Sequence, residues 1–140
     1  MCKPIYLWKS LKKGLVSRHN DFKWRKDKWY STSGTLKMCE TGFHASENII
    51  DAMRYVACGN LAKVEVSGKL LEQEDKQCWE KMRVVKYYNW TKEDSVRLAI
   101  YAASLVINIY EKEYPNDNRV RNAIETKERW ITEKIRLGVL

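Results

Sequence analysis

The chain of 140 residues carries 26 Lys and Arg against 18 Asp and Glu, a net charge of +8, with 44% hydrophobic and 31% charged residues. That length suits one domain or two small lobes sharing a core, and the composition excludes a disordered chain. No apolar run approaches the roughly 18–20 residues of a membrane-spanning helix, and Met1-Cys2-Lys3-Pro4 opens no signal-peptide core, so the cytoplasm is the expected setting.

The charge is confined. Residues 1–37 hold ten basic and two acidic side chains, whereas residues 38–140 hold sixteen of each and sum to zero. Six of the sixteen aromatics share that first quarter: Tyr6, Trp8, Phe22, Trp24, Trp29 and Tyr30. Ile5 to Trp8 reads as a short buried strand, and Lys9 to Asn20, with Gly14, as a loop or helix turn. In Phe22-Lys23-Trp24-Arg25 a period of two sends the rings to one face and the cations to the other. Most rings are therefore expected in the core. Lys9, Lys12, Lys13, Arg18, Lys23, Arg25, Lys26 and Lys28 are expected to form an outward basic surface for an acidic partner, either a protein or a nucleoprotein with its RNA or DNA. No membrane contact is expected, and the oligomeric state is left open.

Ser31 to Gly34 and Glu40-Thr41-Gly42 read as turns. Ser46 is the expected cap of a helix in which Ile49, Ile50, Met53, Val56 and Ala57 form one stripe before Gly59 stops it. Ala62, Val64 and Val66 alternate with Lys63, Glu65 and Ser67 as a half-exposed strand ending at Gly68. Acidic Glu72 to Asp75 is a solvated connection, and Met82 to Tyr88 a further strand. Thr91-Lys92-Glu93-Asp94 has the form of a capping box, with Asp where Glu or Gln is usual. A helical period then runs from Val96 to Tyr110, Pro115 breaks it, and a second amphipathic helix follows from Arg119 to Gly138. Arg119 and Arg121 are expected to pair with Asp117 or Glu125, the i,i+4 spacing favouring Arg121 with Glu125.

The expected fold class is α+β. A small antiparallel or mixed N-terminal sheet with one helix (residues 1–90) is packed on a C-terminal antiparallel helical hairpin (residues 91–140). Cys39, His44, Cys58 and Cys78 lack the close pairing of a structural zinc site, so reduced thiols are expected, with no metal and no cofactor. His19 and His44 lack a neighbouring nucleophile or orienting acid, and His44 is expected to hydrogen-bond its own turn.

Three stretches resemble known families. Cys39-Glu40-Thr41-Gly42-Phe43-His44-Ala45, followed by Val64 to Lys69, resembles an uncharacterised domain of tailed-phage and prophage proteins that pairs a "C-E-x-G-F-H-A" turn with a later strand. Tyr114-Pro115-Asn116-Asp117-Asn118-Arg119 through Glu125 and Trp130 resembles the helical segment of proteins labelled as immunity proteins. These resemblances imply a mobile-element accessory protein, of the kind that binds and disables host defence nucleoproteins in anti-CRISPR fashion. Gly42 to Ala45, with Ala52 and Tyr55 in the helix that follows, is similar to the "G-[IL]-Y-x-[AS] … A-x-x-Y" element of ADP-ribosyltransferases. That likeness implies an NAD site completed by a first-strand His or Arg and a late Glu. Here the first strand offers Tyr6, Trp8 and Lys9, so transferase chemistry is the alternative to a non-catalytic binding module. A further alternative is an immunity or regulatory protein that binds through the helical hairpin.

Overall fold

The computed structural model describes residues 2–54 and 58–139. They form β1 (Ile5–Leu11), β2 (Tyr30–Ser31), β3 (Phe43–Ala45), α1 (Ile49–Met53), β4 (Gly59–Glu72), β5 (Gln77–Trp90), α2 (Lys92–Glu113) and α3 (Arg119–Arg136). The chain divides into two units, Met1–Trp90 and Thr91–Leu140. Among the described residues no helix is long and apolar enough to cross a membrane.

The first unit is an α+β fold around an antiparallel five-stranded sheet ordered β1-β4-β5-β2, with β3 also paired to β5. This sheet is larger than the small one expected. β4 and β5 run fourteen residues each, because ladder hydrogen bonds between main chains continue after the alternation of buried and exposed side chains has ended. Leu70, Leu71 and Glu72 are all exposed yet still paired to β5. The register shifts at Lys63/Val64 and Ser67/Leu70, irregularities of the kind that bend a strand and increase its twist. The core gathers Leu7 and Leu11 of β1, Ala62, Val64 and Val66 of β4, and Trp79, Met82 and Val84 of β5.

The segment after β3 ties the sheet together. Ser46 exchanges two backbone hydrogen bonds of 2.8 Å with Trp8 on β1, while Phe43, His44 and Ala45 pair with Trp79, Cys78 and Gln77 on β5. Residues 43–46 thus run from the outer edge of β5 to the outer edge of β1, drawing the two edges of a bent sheet toward each other. Because the backbone of Ser46 is committed to this pairing, the cap of α1 falls to Asn48 instead. Its side chain accepts the N–H groups of Ile50 and Asp51. The expected helix residues Val56 and Ala57 lie outside the described residues, as does Tyr55, and Gly59 opens β4 rather than stopping a helix.

Buried Asn60 anchors the turn that follows β1. Its Oδ1 accepts the N–H groups of Gly14 at 3.0 Å and Leu15 at 3.1 Å, and its Nδ2 donates to Asn89. Leu15 is buried with φ +59°, a left-handed conformation costly for a branched residue, so the turn depends on these bonds.

In the second unit the expected capping box is present: Thr91 Oγ1 accepts the Asp94 N–H and the Asp94 carboxylate accepts the Thr91 N–H. α2 and α3 form a helical pair in which Ile107 and Ile131 are buried, and Val96, Ala99, Ile100, Ala103, Ala123 and Ile124 line an open apolar groove on it. Arg119 pairs with Asp117 as the sequence suggests, holding that carboxyl far below its usual range. Arg121 does not take Glu125. It forms a two-bonded ion pair with Glu111 across the hairpin, which a spacing argument along one helix does not reach. Val106, inside the helical period expected from Val96 to Tyr110, is 55% exposed.

Asn60→Ala leaves the buried Leu15 N–H unpaired and should lower the unfolding free energy by about 1–3 kcal/mol. Denaturant titration measures this, and an unchanged midpoint would show that the turn holds without Asn60.

Candidate functional site: a basic segment over a ring-lined cavity

Residues 12–31 fold back on themselves and join the sheet at their far end. Val16 pairs with Lys12 and the Trp24 N–H donates to Leu15 O within the segment, while the Asp27 N–H donates to Val84 O and Tyr30 pairs with Met82 on β5. The alternation in Phe22 to Arg25 takes the orientation its sequence implies. Phe22 is half-buried and Trp24 is 2% exposed, while Lys23 and Arg25 point to solvent. Phe22, Trp24 and Tyr30 pack edge-to-face, with centroids 5.0 to 5.2 Å apart, and Phe43 of β3 joins them. Such pairs contribute about 0.5–1.5 kcal/mol each beyond area burial. The Trp24 indole N–H donates to Ser17 Oγ at 2.8 Å, leaving no orphaned donor inside. The expectation that most rings are buried needs correction. Tyr6, on the face of β1 opposite buried Leu7, is 47% exposed and Trp29 40%, with Lys63 over the Tyr6 ring and Arg83 over the Trp29 ring.

The eight expected contact residues divide seven to one. Lys13, Arg18, Lys23, Arg25, Lys26 and Lys28 are exposed, and Lys12 is half-buried. Lys12 pairs with Asp21, Lys26 with Asp27, and the Lys28 ammonium lies over the Tyr30 ring. Both acids of the segment are therefore engaged by its own cations, and the surface of residues 12–28 stays strongly positive.

Lys9 is the exception. On β1 it shares a face with buried Leu7 and Leu11 and sits opposite Ala62 of β4. Its ammonium donates to the His44 carbonyl at 2.6 Å and stands 5.8 Å from the centre of the Trp24 ring. Burial pushes its pKa down to about 8. Lys9 is half-buried, as Lys12 is, but its ammonium turns inward, and the signal was available: extended to Leu11, the two-residue period of β1 sends Leu7, Lys9 and Leu11 the same way.

Lys9 lines a cavity of about 500 Å³ between β1, the 17–24 loop and the Cys39–Ser46 stretch. Its walls are mixed in chemistry, with rings from Phe22, Trp24 and Phe43 and several Ser and Thr residues. Arg18 belongs both to the cavity lining and to the basic segment, and Lys76 lines the cavity as well. Among the described residues Glu40 is the one carboxylate in the lining.

His44 serves the turn, as expected. Its Nε2 accepts the Cys39 N–H at 2.9 Å, so the neutral ring carries its proton on Nδ1. Burial first, then the Lys9 and Lys76 charges, hold its pKa down to about 4. An imidazole that neutral and already bonded is poorly suited to proton transfer near neutral pH. The turn also needs Gly42. At φ +125° a Cβ there would collide with the Cys78 sulfur and press on the Leu36 side chain. Cys78 is buried, its thiol donates to Thr41 O, and burial pushes its pKa up. Among the described residues no three His, Cys, Asp or Glu side chains converge as a metal site would require.

A family model described as a domain of unknown function, DUF7666, matches residues 5–95. The chain belongs to the DUF7666 family. The match covers all five strands, the basic segment and the cavity, and ends in the first turn of α2. No curated protein and no solved structure matches the chain.

The His44 pKa sets a pH dependence for this DUF7666 domain. The folded value lies below the ordinary 6.5, so between these values the unfolded chain binds the proton and the folded one does not. The contribution of His44 is present above pH 6.5 and lost as pH falls through about 4. An NMR titration should place the imidazole midpoint near 4, and a midpoint at the ordinary value would contradict the buried, bonded geometry.

Proposed function

We propose that this chain is a non-catalytic binding module that engages the phosphate backbone of nucleic acid, free or within a host nucleoprotein, through the exposed cations of residues 12–28. The observation that carries this reading is the sorting of that segment: its rings turn inward, and six of its cations lie exposed with both local acids already engaged. Lysine and arginine at such density attract phosphates over a Debye length and gain from counterion release. The phage-type resemblance of Cys39 to Ala45 supplies the context of an accessory protein acting in the host cytoplasm as an anti-CRISPR-like inhibitor of a defence nucleoprotein. An acidic protein surface is the competing target for the same cations.

A second reading has an observation of its own. On α2, Tyr101, Leu105 and Ile109 are spaced i, i+4, i+8 and are 62%, 63% and 71% exposed, an apolar stripe suited to a protein partner in the manner of an immunity or regulatory protein. Such binding would persist at high salt, whereas phosphate binding weakens steeply with it.

Replacing Lys23, Arg25, Lys26 and Lys28 together with Glu should lower affinity for an oligonucleotide at least about tenfold and flatten its salt dependence, with the circular dichroism spectrum unchanged. Fluorescence anisotropy at several salt concentrations measures both. Affinity equal to wild type would overturn the reading, and retained binding to an acidic polypeptide alone would move the target to protein.

A further inference from the structure

The basic segment and the cavity are one continuous feature, because Arg18 contributes to both. Inside the cavity, the Lys9 ammonium offers three N–H donors, of which the His44 carbonyl takes one. Among the described residues no carboxylate pairs with it. Half-buried Lys9 is a cation drawn partly out of water without an anionic partner, which is destabilising, and its depressed pKa reports the same desolvation. An anion entering the cavity would relieve that cost.

The rest of the lining narrows which anion. Half-buried Phe22 and Phe43, with buried Trp24 beside them, present apolar rings. The volume of about 500 Å³ lies within the roughly 300–1,000 Å³ typical of ligand sites. Serine and threonine hydroxyls at the walls could satisfy a sugar or the edge of a base. A planar ring beside a phosphate is the chemistry of one nucleotide, and an unpaired nucleotide enters such a space without the unpairing and unstacking cost that one drawn from a duplex would carry.

We propose that the preferred partner is single-stranded nucleic acid, with one unpaired nucleotide inserted between the Cys39–Ser46 turn and the 17–24 loop, its phosphate facing Lys9 and its base against the aromatic wall. This rests on the reading of the basic segment as a phosphate-binding surface and adds the strand state that the surface alone does not specify. Duplex would meet the outer cations and leave the cavity unfilled.

The test compares a short single strand carrying a fluorescent purine analogue with a duplex of the same length, titrated against the full chain. The expected result is a single-strand affinity higher by about tenfold or more, the effect of one stacked base, with the analogue quenched on binding. Lys9→Met keeps the side-chain stem and removes the unpaired charge, so it should fold at least as stably while losing most of the preference. Its duplex affinity should stay near wild type. Equal affinity for both strand states, or a preference that survives Lys9→Met, would overturn the inference and leave the surface reading standing. Absence of binding to either form would remove both.

Discussion

Two hydrogen bonds between Trp8 and Ser46 hold this fold in its functional shape. β3 alone is a three-residue strand on the edge of β5, too short to fix the chain beyond it. By pairing with β1 at its far end, the same stretch closes over the bent sheet and becomes a wall of the cavity. Everything at the candidate site refers back to that closure. Gly42 has no Cβ because the turn must approach the Cys78 sulfur, His44 gives its ring to the turn and its carbonyl to Lys9, and Lys9 reaches that carbonyl because β1 lies alongside.

The second constraint is how a short, strongly cationic segment covers an apolar core. Lysine-rich chain does not bury readily, yet residues 12–31 cover one side of the sheet. Rings at alternate positions, backbone bonds within the segment at Lys12 and Leu15, and its attachment to β5 at Val84 and Met82 accomplish this. The cations follow to the outside because the rings must go in. A concentrated positive surface is thus a consequence of how the core is covered, and the same surface suits a phosphate chain. The outer electrostatic face and the ring-lined cavity beside it are the two features on which the proposed single-strand binding rests.

Much of this was legible in the chain. The inward rings of Phe22 and Trp24, the alternation from Ala62 to Ser67, the Thr91 capping box and the helical pair around Pro115 each rest on local periodicity or a local cap, which sequence displays directly. What escaped depended on contacts between distant segments. Ser46 has the chemistry of a helix cap, but its backbone is drawn to Trp8, and the cap passes to Asn48. Arg121 finds Glu111 across a hairpin rather than Glu125 along its own helix. β4 and β5 outrun their alternating stretch because main-chain pairing does not need it. Lys9 looked like one more surface lysine, since a strand ending at Trp8 hides that Leu7, Lys9 and Leu11 share a face.

The closure itself is open to direct measurement by amide hydrogen exchange. If Trp8 and Ser46 hold the sheet edges together, their N–H groups should exchange as slowly as those in the β4–β5 ladder, such as Val64 and Val84, because both would open only with the whole unit. Exchange at Trp8 and Ser46 as fast as at the exposed residues of the 17–24 loop, with the ladder still protected, would mean the edges are free, and the cavity would lose the wall on which this account depends.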